Sequence, residues 1–340
     1  MGSERAQSPD GSFRMPAEFE PHAATWMAWP TRREIWGDLF REVKGDYAAL
    51  ARTVARLEPV RMVANPPDAA EAQELCGPTV SIVELPIDDS WTRDSGPIFL
   101  TAAGGVRLAA TFRFTAWGHK YSGFEHDAAL AGAIADRLGV SRITSQLALE
   151  GGAILVDGQG TLITTESCLL NPNRNPGLSK GEIDRELTRM LGVTKIIWLP
   201  GDPTETETDG HIDGIAALAR PGQLLLESVA DRSDPRHEIL RENRRALELA
   251  TDACGRRFEL IPIEEVDASR AVGPRYCRSY VNFYIVNGAV IAPAYGLDSD
   301  ERVAATLRTA FPQRSVVLQP IGSIAVGGGG FHCITQQEPQ

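Results

Sequence analysis

Apolar and polar positions follow two alternating patterns along the chain. Short apolar runs bounded by Gly, Pro, Asn or Asp predict strands, and stretches with apolar residues every three or four positions predict amphipathic helices. The predicted strands span residues 60–64, 80–85, 97–100, 152–156, 161–165, 195–199, 215–220, 223–228, 280–286, 289–293 and 315–318. The predicted helices span residues 39–57, 127–138, 180–191, 235–253 and 299–311. The pattern therefore predicts a mixed α/β protein.

Local signals add detail to this outline. The stretches VDGQGT and VNGAV contain Asp-Gly and Asn-Gly pairs, and each predicts a β-hairpin. Ser179 and Glu182 have the spacing of a capping box at a helix start, and Gly192 is placed to end that helix. Hairpin, helix and strand recur without a Pro/Ser-rich linker. We therefore predict a disordered tail over residues 1–14, followed by a single catalytic domain over residues 15–340.

Composition and charge narrow the classes of function. Apolar residues make up 43% of the chain and charged residues 23%, as in ordinary globular proteins. The net charge is -11, and no run of Lys and Arg predicts nucleic-acid binding. An acidic chain instead favours a small cationic partner. No apolar run reaches the ~18 residues of a membrane span, and the polar start lacks a signal-peptide core, so we expect a cytoplasmic location.

The five cysteines are scattered and form no CxxC pair, which argues against a disulfide framework or a zinc knuckle. A lone cysteine is usually a small buried apolar residue. This interpretation is adopted for Cys76, Cys168, Cys254 and Cys277. Cys333 differs because it follows four consecutive glycines, a pattern that predicts a tight turn delivering one thiol to a site built by the rest of the chain.

Four other polar side chains call for a functional explanation, because they lie beside glycines in otherwise apolar surroundings. Asp94 lies in WTRDSGP, Glu150 in LEGG, and His211 and Asp213 in DGHIDG. A thiolate is a nucleophile, a histidine moves protons near neutral pH, and a carboxylate can orient that histidine. Two aspartates remain after those roles are filled. They match a guanidinium, whose fixed fork of N–H donors pairs with carboxylates.

The ordered set of motifs resembles a known family. WTRDSGP, LEGG, LLNPNRNP, TDGHID, SYVNFYI and GGGGFHCITQQ, with PAEFEPH and TWMAWP near the start, resemble the agmatine deiminase family. This family belongs to the guanidine-modifying, or pentein, superfamily and is related to the bacterial-type peptidylarginine deiminases. The resemblance runs from about residue 15 to the end. It implies a five-bladed α/β propeller of pseudo-fivefold ββαβ units, with the site on its axis and no metal or organic cofactor.

The resemblance also implies roles for individual residues. Cys333 is implied as the nucleophile and His211 as the general acid/base. Asp94 and Asp213 are implied as the carboxylates that bind the guanidinium. Glu150 is implied as an acidic partner of His211 or the substrate, and Trp91 as a wall of the site. The implied reaction converts agmatine and water to N-carbamoylputrescine and ammonia through an S-amidino-cysteine intermediate, within putrescine and polyamine biosynthesis. Because symmetric dimers are the commonest oligomers, a homodimer is compatible with the sequence.

Two departures from the family pattern concern the substrate. Gly330-Phe331 stands where the family commonly has Asn-Ile, which predicts a changed pocket floor with Gly330 at the substrate. Arg278 precedes SYVNFYI where small residues are usual. An arginine facing the pocket would repel agmatine's ammonium and suit a guanidino acid or arginine. Alternatively, Arg278 points to solvent or pairs with a surface acid.

Other functions for the same residues agree less well with the sequence. A metal site could use His211, Asp213, His332 and Cys333, but neither pair has a common zinc spacing. A cysteine protease lacks its signatures, and no Gly-Lys-Ser/Thr follows the glycines as a phosphate loop requires. A non-catalytic guanidine-binding protein is disfavoured because the expected catalytic side chains are present. Deimination of arginine, peptidyl-arginine or a guanidino acid, and amidino transfer to an amine, stay open. His332 is predicted to be structural.

Overall fold

The structure is a computed structural model that describes residues 13–340. The predicted disordered tail covers residues 1–14, and its first twelve positions lie outside the described residues. Arg14, the last residue of that tail, is joined to the fold by two backbone hydrogen bonds with Thr101, of 3.0 and 2.9 Å. Arg14 therefore belongs to the folded chain, although the sequence places it in the tail.

The described chain alternates strands and helices as the hydrophobic pattern predicts. The strands are β1 His22–Ala28, β2 Val60–Ala64, β3 Val80–Glu84, β4 Ile98–Thr101, β5 Arg107–Arg113, β6 Arg142–Ala148, β7 Ile154–Val156, β8 Thr161–Thr165, β9 Lys195–Leu199, β10 Ala216–Arg220, β11 Gln223–Ser228, β12 Glu259–Glu264, β13 Tyr284–Val286, β14 Ala289–Ala294, β15 Ser315–Pro320 and β16 Gln336–Pro339. The α-helices are α1 Arg33–Trp36, α2 Phe40–Val54, α3 Ala69–Cys76, α4 Thr92–Ser95, α5 Ala116–His119, α6 Glu125–Leu138, α7 Glu166–Leu169, α8 Lys180–Leu191, α9 Pro235–Leu249 and α10 Asp298–Ala310.

Four consecutive sheets repeat one ββαβ plan. An antiparallel strand pair is followed by a helix and then by a strand that pairs in parallel, in the orders β4-β5-β6, β7-β8-β9, β10-β11-β12 and β13-β14-β15. The two hairpins predicted from VDGQGT and VNGAV are β7-β8 and β13-β14. Helix α8 begins with the predicted capping box of Ser179 and Glu182 and ends at Gly192, whose φ is 68°. These local predictions are confirmed.

The two ends of the described chain complete a fifth sheet. β16 pairs antiparallel with β1, and β1 pairs in parallel with β2, in the order β16-β1-β2-β3. The C-terminal strand thus supplies the first strand of a ββαβ unit whose remaining parts come from the N-terminal region. Five sheets of the same plan confirm the predicted five-bladed α/β propeller.

Several elements escaped the sequence prediction. Strands β1, β5, β6, β12 and β16 and helix α3 were not predicted, and the predicted strand over 280–286 is shortened to Tyr284–Val286. β1 and β5 each contain an Ala-Ala pair, which has low strand propensity. β16 is polar, yet Glu338 within it is buried and paired with Arg61 and Arg107. These strands therefore depend on tertiary partners.

The apolar core is divided among the blades. The largest cluster packs α2 against the first sheet and the chain preceding Cys333, including Trp36, Tyr47 and Phe331. Among residues 13–340, no helix is both long enough and apolar enough to cross a bilayer.

Candidate active site

The five polar residues singled out in the sequence lie on segments from different blades. Asp94 lies in α4, Glu150 follows β6, His211 and Asp213 lie between β9 and β10, and Cys333 precedes β16. All five meet in one cluster, as the separations below show. The propeller brings them together from positions that span 239 residues of the chain, from Asp94 to Cys333.

The glycine run before Cys333 allows a tight approach to the site. Gly328 has a φ of 102°, which residues with a side chain rarely adopt. A Cβ on Gly330 would lie 2.5 Å from the Asn282 side-chain oxygen. The run therefore forms the turn that the sequence predicts, and its lack of side chains lets the backbone reach Asn282.

Asn282 holds the Cys333 segment. Its Oδ1 accepts hydrogen bonds from the backbone N–H groups of His332 (3.1 Å) and Cys333 (3.3 Å). Its Nδ2 donates to the Asp213 carbonyl (3.2 Å) and lies 3.3 Å from Cys333 Sγ. Because the backbone partners set the orientation of the amide, the N–H group faces the sulfur and can donate to a thiolate.

Two aspartates and a histidine converge beside the thiol. The Asp213 Oδ2 atom lies 3.6 Å from Cys333 Sγ. His211 Nδ1 lies 3.9 Å from Asp94 Oδ1 and 4.0 Å from Asp213 Oδ1. A Cβ added to Gly152 would lie 2.6 Å from His211 Nδ1, 2.9 Å from Asp94 Oδ1 and 3.0 Å from Asp213 Oδ2. These three side chains therefore face one small space.

Glu150 lies behind His211, away from the cavity. Its Oε2 is 3.4 Å from His211 Nε2, and the guanidinium Nε of Arg174 donates to both of its oxygens, at 2.8 and 3.1 Å. Glu150 and Arg174 have no exposed side-chain surface. Of the two partners predicted for Glu150, the structure shows contact with His211. This arrangement orients the ring so that Nδ1 faces Asp94 and Asp213.

The surrounding charges determine how the reactive groups are protonated. Burial opposes a charge on His211, but Asp94, Cys168 and Glu150 raise its pKa well above the ordinary value. Burial and the nearby Asp213 and Asp94 carboxylates raise the pKa of the Cys333 thiol well above its usual range. These shifts favour an imidazolium at His211 and a protonated thiol at Cys333 in the free site, and an entering cation would favour the thiolate.

The two aspartates differ in their environments. Burial, with Asp213 and Glu150 nearby, raises the pKa of Asp94, although Trp117 Nε1 donates to its Oδ2 at 2.8 Å. Burial also opposes ionisation of Asp213, but His332 and His211 hold the pKa of that carboxyl below its usual value. At Asp94, His211 only partly offsets the effects that raise the pKa, and a guanidinium between the two aspartates would add further positive charge there.

A cavity of about 250 Å³ leads to this cluster and is lined by Cys333, Asp213 and His211, with Glu205 and Glu207 among its wall residues. Trp91 lines a smaller adjoining cavity beside Asp94 and Cys333, where the sequence predicts it. Carboxylates thus occur both at the thiol and along the approach to it, which favours a cationic ligand.

Gly330 and Phe331, which depart from the family pattern, are not among the residues that line the cavity. Gly330 is buried against Asn282, and Gly328 and Gly329 line the cavity in its place. Phe331 is fully buried in the core. The changed pocket floor therefore stays a prediction, and the structure adds that the side chain of Phe331 faces the core.

Arg278 does line the cavity, but it is already paired. Its Nη2 lies 2.7 Å from Glu265 and its Nη1 lies 3.7 Å from Asp234. The side chain is 14% exposed, so it neither points freely into solvent nor presents an unpaired charge to a ligand. These partners reduce both effects predicted for it, repulsion of an ammonium and attraction of a carboxylate.

The four other cysteines are predicted from the sequence to be buried, and the structure agrees for some of them only. Cys76 is buried and Cys277 is partly buried, whereas Cys254 is exposed, which corrects its predicted burial. Cys168 is buried, as predicted, but it also lies beside Glu150 and His211. Unlike Cys333, it has no exposed surface and lines neither cavity at the site.

One set of side chains among residues 13–340 has the proximity of metal ligands. Single ligand atoms of Glu150, Cys168 and His211 lie within 4.8 Å of one another. Arg174 already neutralises Glu150 there, and all three residues are buried. Binding of a cation would require displacement of the buried guanidinium, so the arrangement fits an ion-paired histidine support better than a metal centre.

Sequence reasoning missed three supporting residues. Asn282 lies in the SYVNFYI motif and Arg174 in the LLNPNRNP motif, and the sequence indicates no contact for either residue. Trp117, which binds Asp94, has a φ of 55° within a short irregular helix. The motifs marked Asn282 and Arg174, but their spacing carried no information about which charged group each would contact.

Comparisons with known proteins agree with this architecture. Residues 14–339 match the family model described as Porphyromonas-type peptidyl-arginine deiminase. A putative agmatine deiminase of Streptomyces coelicolor is 41% identical over 97% of this chain and 99% of its own length. An agmatine deiminase of Stutzerimonas stutzeri is 40% identical over 97% of this chain and 96% of its own length.

A solved agmatine deiminase of Enterococcus faecalis superposes with a TM-score of 0.94 at 32% identity, covering 98% of each chain. The family model, the two relatives and this structure all cover nearly the whole chain, including the segments that carry the clustered side chains. The chain therefore belongs to the Porphyromonas-type peptidyl-arginine deiminase family.

Proposed function

We propose that residues 15–340 form a single catalytic domain that hydrolyses agmatine to N-carbamoylputrescine and ammonia. The observation that carries the proposal is the convergence of Asp94, Asp213 and His211 on one small space beside the Cys333 thiol. Two carboxylates and a nucleophile around one space suit the planar, cationic carbon of a guanidinium. The relatives named above bear the same activity in their names.

Each side chain has a role set by its position. Asp94 and Asp213 bind the guanidinium N–H groups, and the substrate's charge favours loss of the proton from Cys333. The thiolate then attacks the guanidinium carbon and forms a C–S bond. His211, protonated and with Nδ1 facing this space, gives a proton to the departing nitrogen as the C–N bond breaks. Ammonia and an S-amidino-cysteine result.

The second half of the reaction restores the thiol. His211, now neutral, takes a proton from a water molecule that attacks the same carbon. The C–S bond breaks with its electron pair returning to sulfur, and the hydroxyl proton of the adduct passes to Cys333 as the ureido product leaves. The ammonia takes up from solvent the proton that Cys333 released there in the first step, so one guanidinium and one water yield one urea and one ammonium. Glu150 and Arg174 keep the His211 ring oriented through both steps. Covalent catalysis thereby divides one substitution into two easier ones.

The cavity favours agmatine over a guanidine that carries a carboxylate. Glu205 and Glu207 line the approach. Three arginines line it as well, and each is paired with an acid: Arg236 with Asp202, Arg275 with Glu207, and Arg278 with Glu265. A carboxylate tail would meet these acids without an unpaired cation to receive it, whereas an ammonium tail would be attracted. This argument ranks agmatine ahead of arginine or 4-guanidinobutyrate.

We further place this activity in putrescine and polyamine biosynthesis, in the cytoplasm, with the protein as a homodimer. Support for the pathway comes from the product, because N-carbamoylputrescine contains the putrescine skeleton. The location is carried over as an expectation, and the dimer rests on the prevalence of symmetric pairs. Gel filtration with light scattering tests the last point.

Purified protein should be incubated separately with agmatine, arginine, 4-guanidinobutyrate and a blocked arginyl peptide, without any added amine. Ureido product and ammonia are then quantified. We expect both from agmatine in equal amounts and none with Cys333→Ser. A Cys254→Ser variant is the matched control for loss of a cysteine, because Cys254 is exposed. Retention of activity in Cys333→Ser would overturn the assignment of the nucleophile, and dependence on an added amine would indicate amidino transfer.

A further inference from the structure

The N-terminal motif PAEFEPH has no part in the mechanism above, yet it reaches the site. Its Glu18 lies at the back of the cluster, on the side opposite the substrate cavity. Glu18 Oε1 accepts a hydrogen bond from the Ile285 N–H (2.8 Å), and Oε2 lies 2.9 Å from His332 Nε2 and 3.2 Å from Arg93 Nη2. A segment some three hundred positions away in sequence thus contacts the residue preceding the nucleophile.

The other ring nitrogen of His332 contacts a second carboxylate. His332 Nδ1 lies 2.8 Å from Asp213 Oδ2, the same oxygen that lies 3.6 Å from Cys333 Sγ. An ionised carboxylate only accepts hydrogen bonds, so both contacts are satisfied only if both ring nitrogens carry protons. The geometry therefore requires the imidazolium form of His332.

The groups that face His332 are few. Glu18 approaches from the N-terminal segment, Asp213 from the chain before β10, and Arg93 from α4. The remaining walls of the small cavity beside it are apolar side chains of β7 and β10, of Phe19, and of Val281, Phe283 and Ile285. Burial and Arg93 oppose protonation, but Glu18 and Asp213 raise the pKa of His332 above its ordinary value.

We propose that His332 is a positioning residue with a fixed positive charge, whose imidazolium, held between Glu18 and Asp213, orients the Asp213 carboxylate and makes the Cys333 thiolate easier to form. This role rests on the proposed function of Asp213 and Cys333. The cation lies one carboxylate away from the sulfur. It therefore offsets the repulsion that Asp213 exerts on a thiolate, in the free protein as well as with substrate bound.

Two variants separate the effect of the His332 charge from the effect of its hydrogen bond to Asp213. His332→Asn places an amide N–H near the position of Nδ1, so it keeps a donor for Asp213 and removes the charge. His332→Gln reaches toward Glu18 and loses the donor to Asp213. Glu20→Gln is the matched control for the N-terminal segment, because Glu20 pairs with Arg14 near the surface, at 2.5 Å.

The first measurement is the titration of the His332 ring by ¹³C NMR in the full chain, assigned by the loss of its signal in His332→Asn. We expect a pKa above the ordinary ~6.5 in the wild type and a fall of about one unit in Glu18→Gln, since one of two partner charges is removed. Glu20→Gln should leave it unchanged. A wild-type His332 that titrates at or below ~6.5 would overturn the proposal.

The second measurement is the alkylation rate of Cys333 by iodoacetamide at pH 8, followed by peptide mapping. We expect His332→Asn to react about tenfold more slowly than wild type, as one unit of thiol pKa predicts. Equal rates in wild type and His332→Asn would show that His332 only holds the local structure together. They would refute an effect of its charge on the Cys333 thiol. His332→Gln should lower kcat more than His332→Asn does, because Asp213 loses its hydrogen-bond donor. The two variants should have the same thermal stability.

These readouts do not depend on which guanidine is the substrate. If agmatine is not hydrolysed but the titration and alkylation results hold, the proposed function fails and the role of His332 stands. If agmatine is hydrolysed and His332→Asn changes neither thiol reactivity nor kcat, the role of His332 fails and the function stands.

Discussion

Replacement of Arg174 by Met removes the buried partner of Glu150 with little change in volume. Both side chains are fully buried, and Arg174 Nε donates to both Glu150 oxygens, at 2.8 and 3.1 Å. The substitution leaves a buried carboxylate without its guanidinium. It therefore tests whether this ion pair supports both the fold and the orientation of His211.

The cost follows from the burial of the pair. Removal of one partner of a buried ion pair typically costs about 3–5 kcal/mol, because the other charge stays desolvated. His211 Nε2, at 3.4 Å from Glu150, offsets part of this loss. We therefore expect Arg174→Met to lower the free energy of unfolding by about 3 kcal/mol. We also expect kcat to fall by about 10²-fold, since a misplaced general acid loses most of its contribution.

Urea unfolding followed by circular dichroism measures the first effect, and product formation from agmatine measures the second. Arg241→Met is the matched control, because Arg241 pairs with Glu238 on an exposed helix surface; it should stay within about 0.5 kcal/mol of wild type. The double variant Glu150→Gln/Arg174→Met should recover part of the stability but not the activity. A loss below about 1 kcal/mol in Arg174→Met, the size typical of surface pairs, would refute the reasoning.

Three further predictions concern the charges of the site. Asp94→Asn should lower kcat/KM by at least about 10²-fold, yet speed alkylation of Cys333, because that carboxylate raises the pKa of the thiol; slower alkylation would contradict this account. Trp117→Phe removes the 2.8 Å hydrogen bond to Asp94 and should raise KM for agmatine about tenfold, with an unchanged KM as the contrary result. Burial opposes ionisation of Glu18, but His332 and Arg93 lower its pKa from 4.5 to about 2. Its stabilisation is therefore present above pH 4.5 and lost as pH falls toward 2, so Glu18→Gln should cost up to about 3 kcal/mol at pH 7 and almost nothing at pH 2 in urea unfolding.

Local patterns in the sequence predicted much of the fold. The hairpins β7-β8 and β13-β14 follow from Asp-Gly and Asn-Gly pairs, and α8 follows from its capping box and terminal glycine. Each of these signals acts within a few residues and needs no distant partner. The closing strand β16 is the opposite case, since its polar sequence becomes a buried strand only through Arg61, Arg107 and the pairing with β1.

The sequence by itself also marked the five side chains that form the candidate active site. Cys333, His211, Asp94, Asp213 and Glu150 were recognised from their residue types, their glycine neighbours and the motifs around them. The structure brings all five together.

Only the tertiary structure decided how these groups are supported and charged. It revealed that Arg174 holds Glu150, that Asn282 holds the Cys333 segment, and that Arg278 is paired with acids. It also placed the His332 ring between Glu18 and Asp213, at 2.9 and 2.8 Å, which are contacts that the sequence does not indicate. The physical reason is distance along the chain. Protonation and orientation depend on charges a few ångströms away, and five blades bring those charges from segments that no local pattern connects.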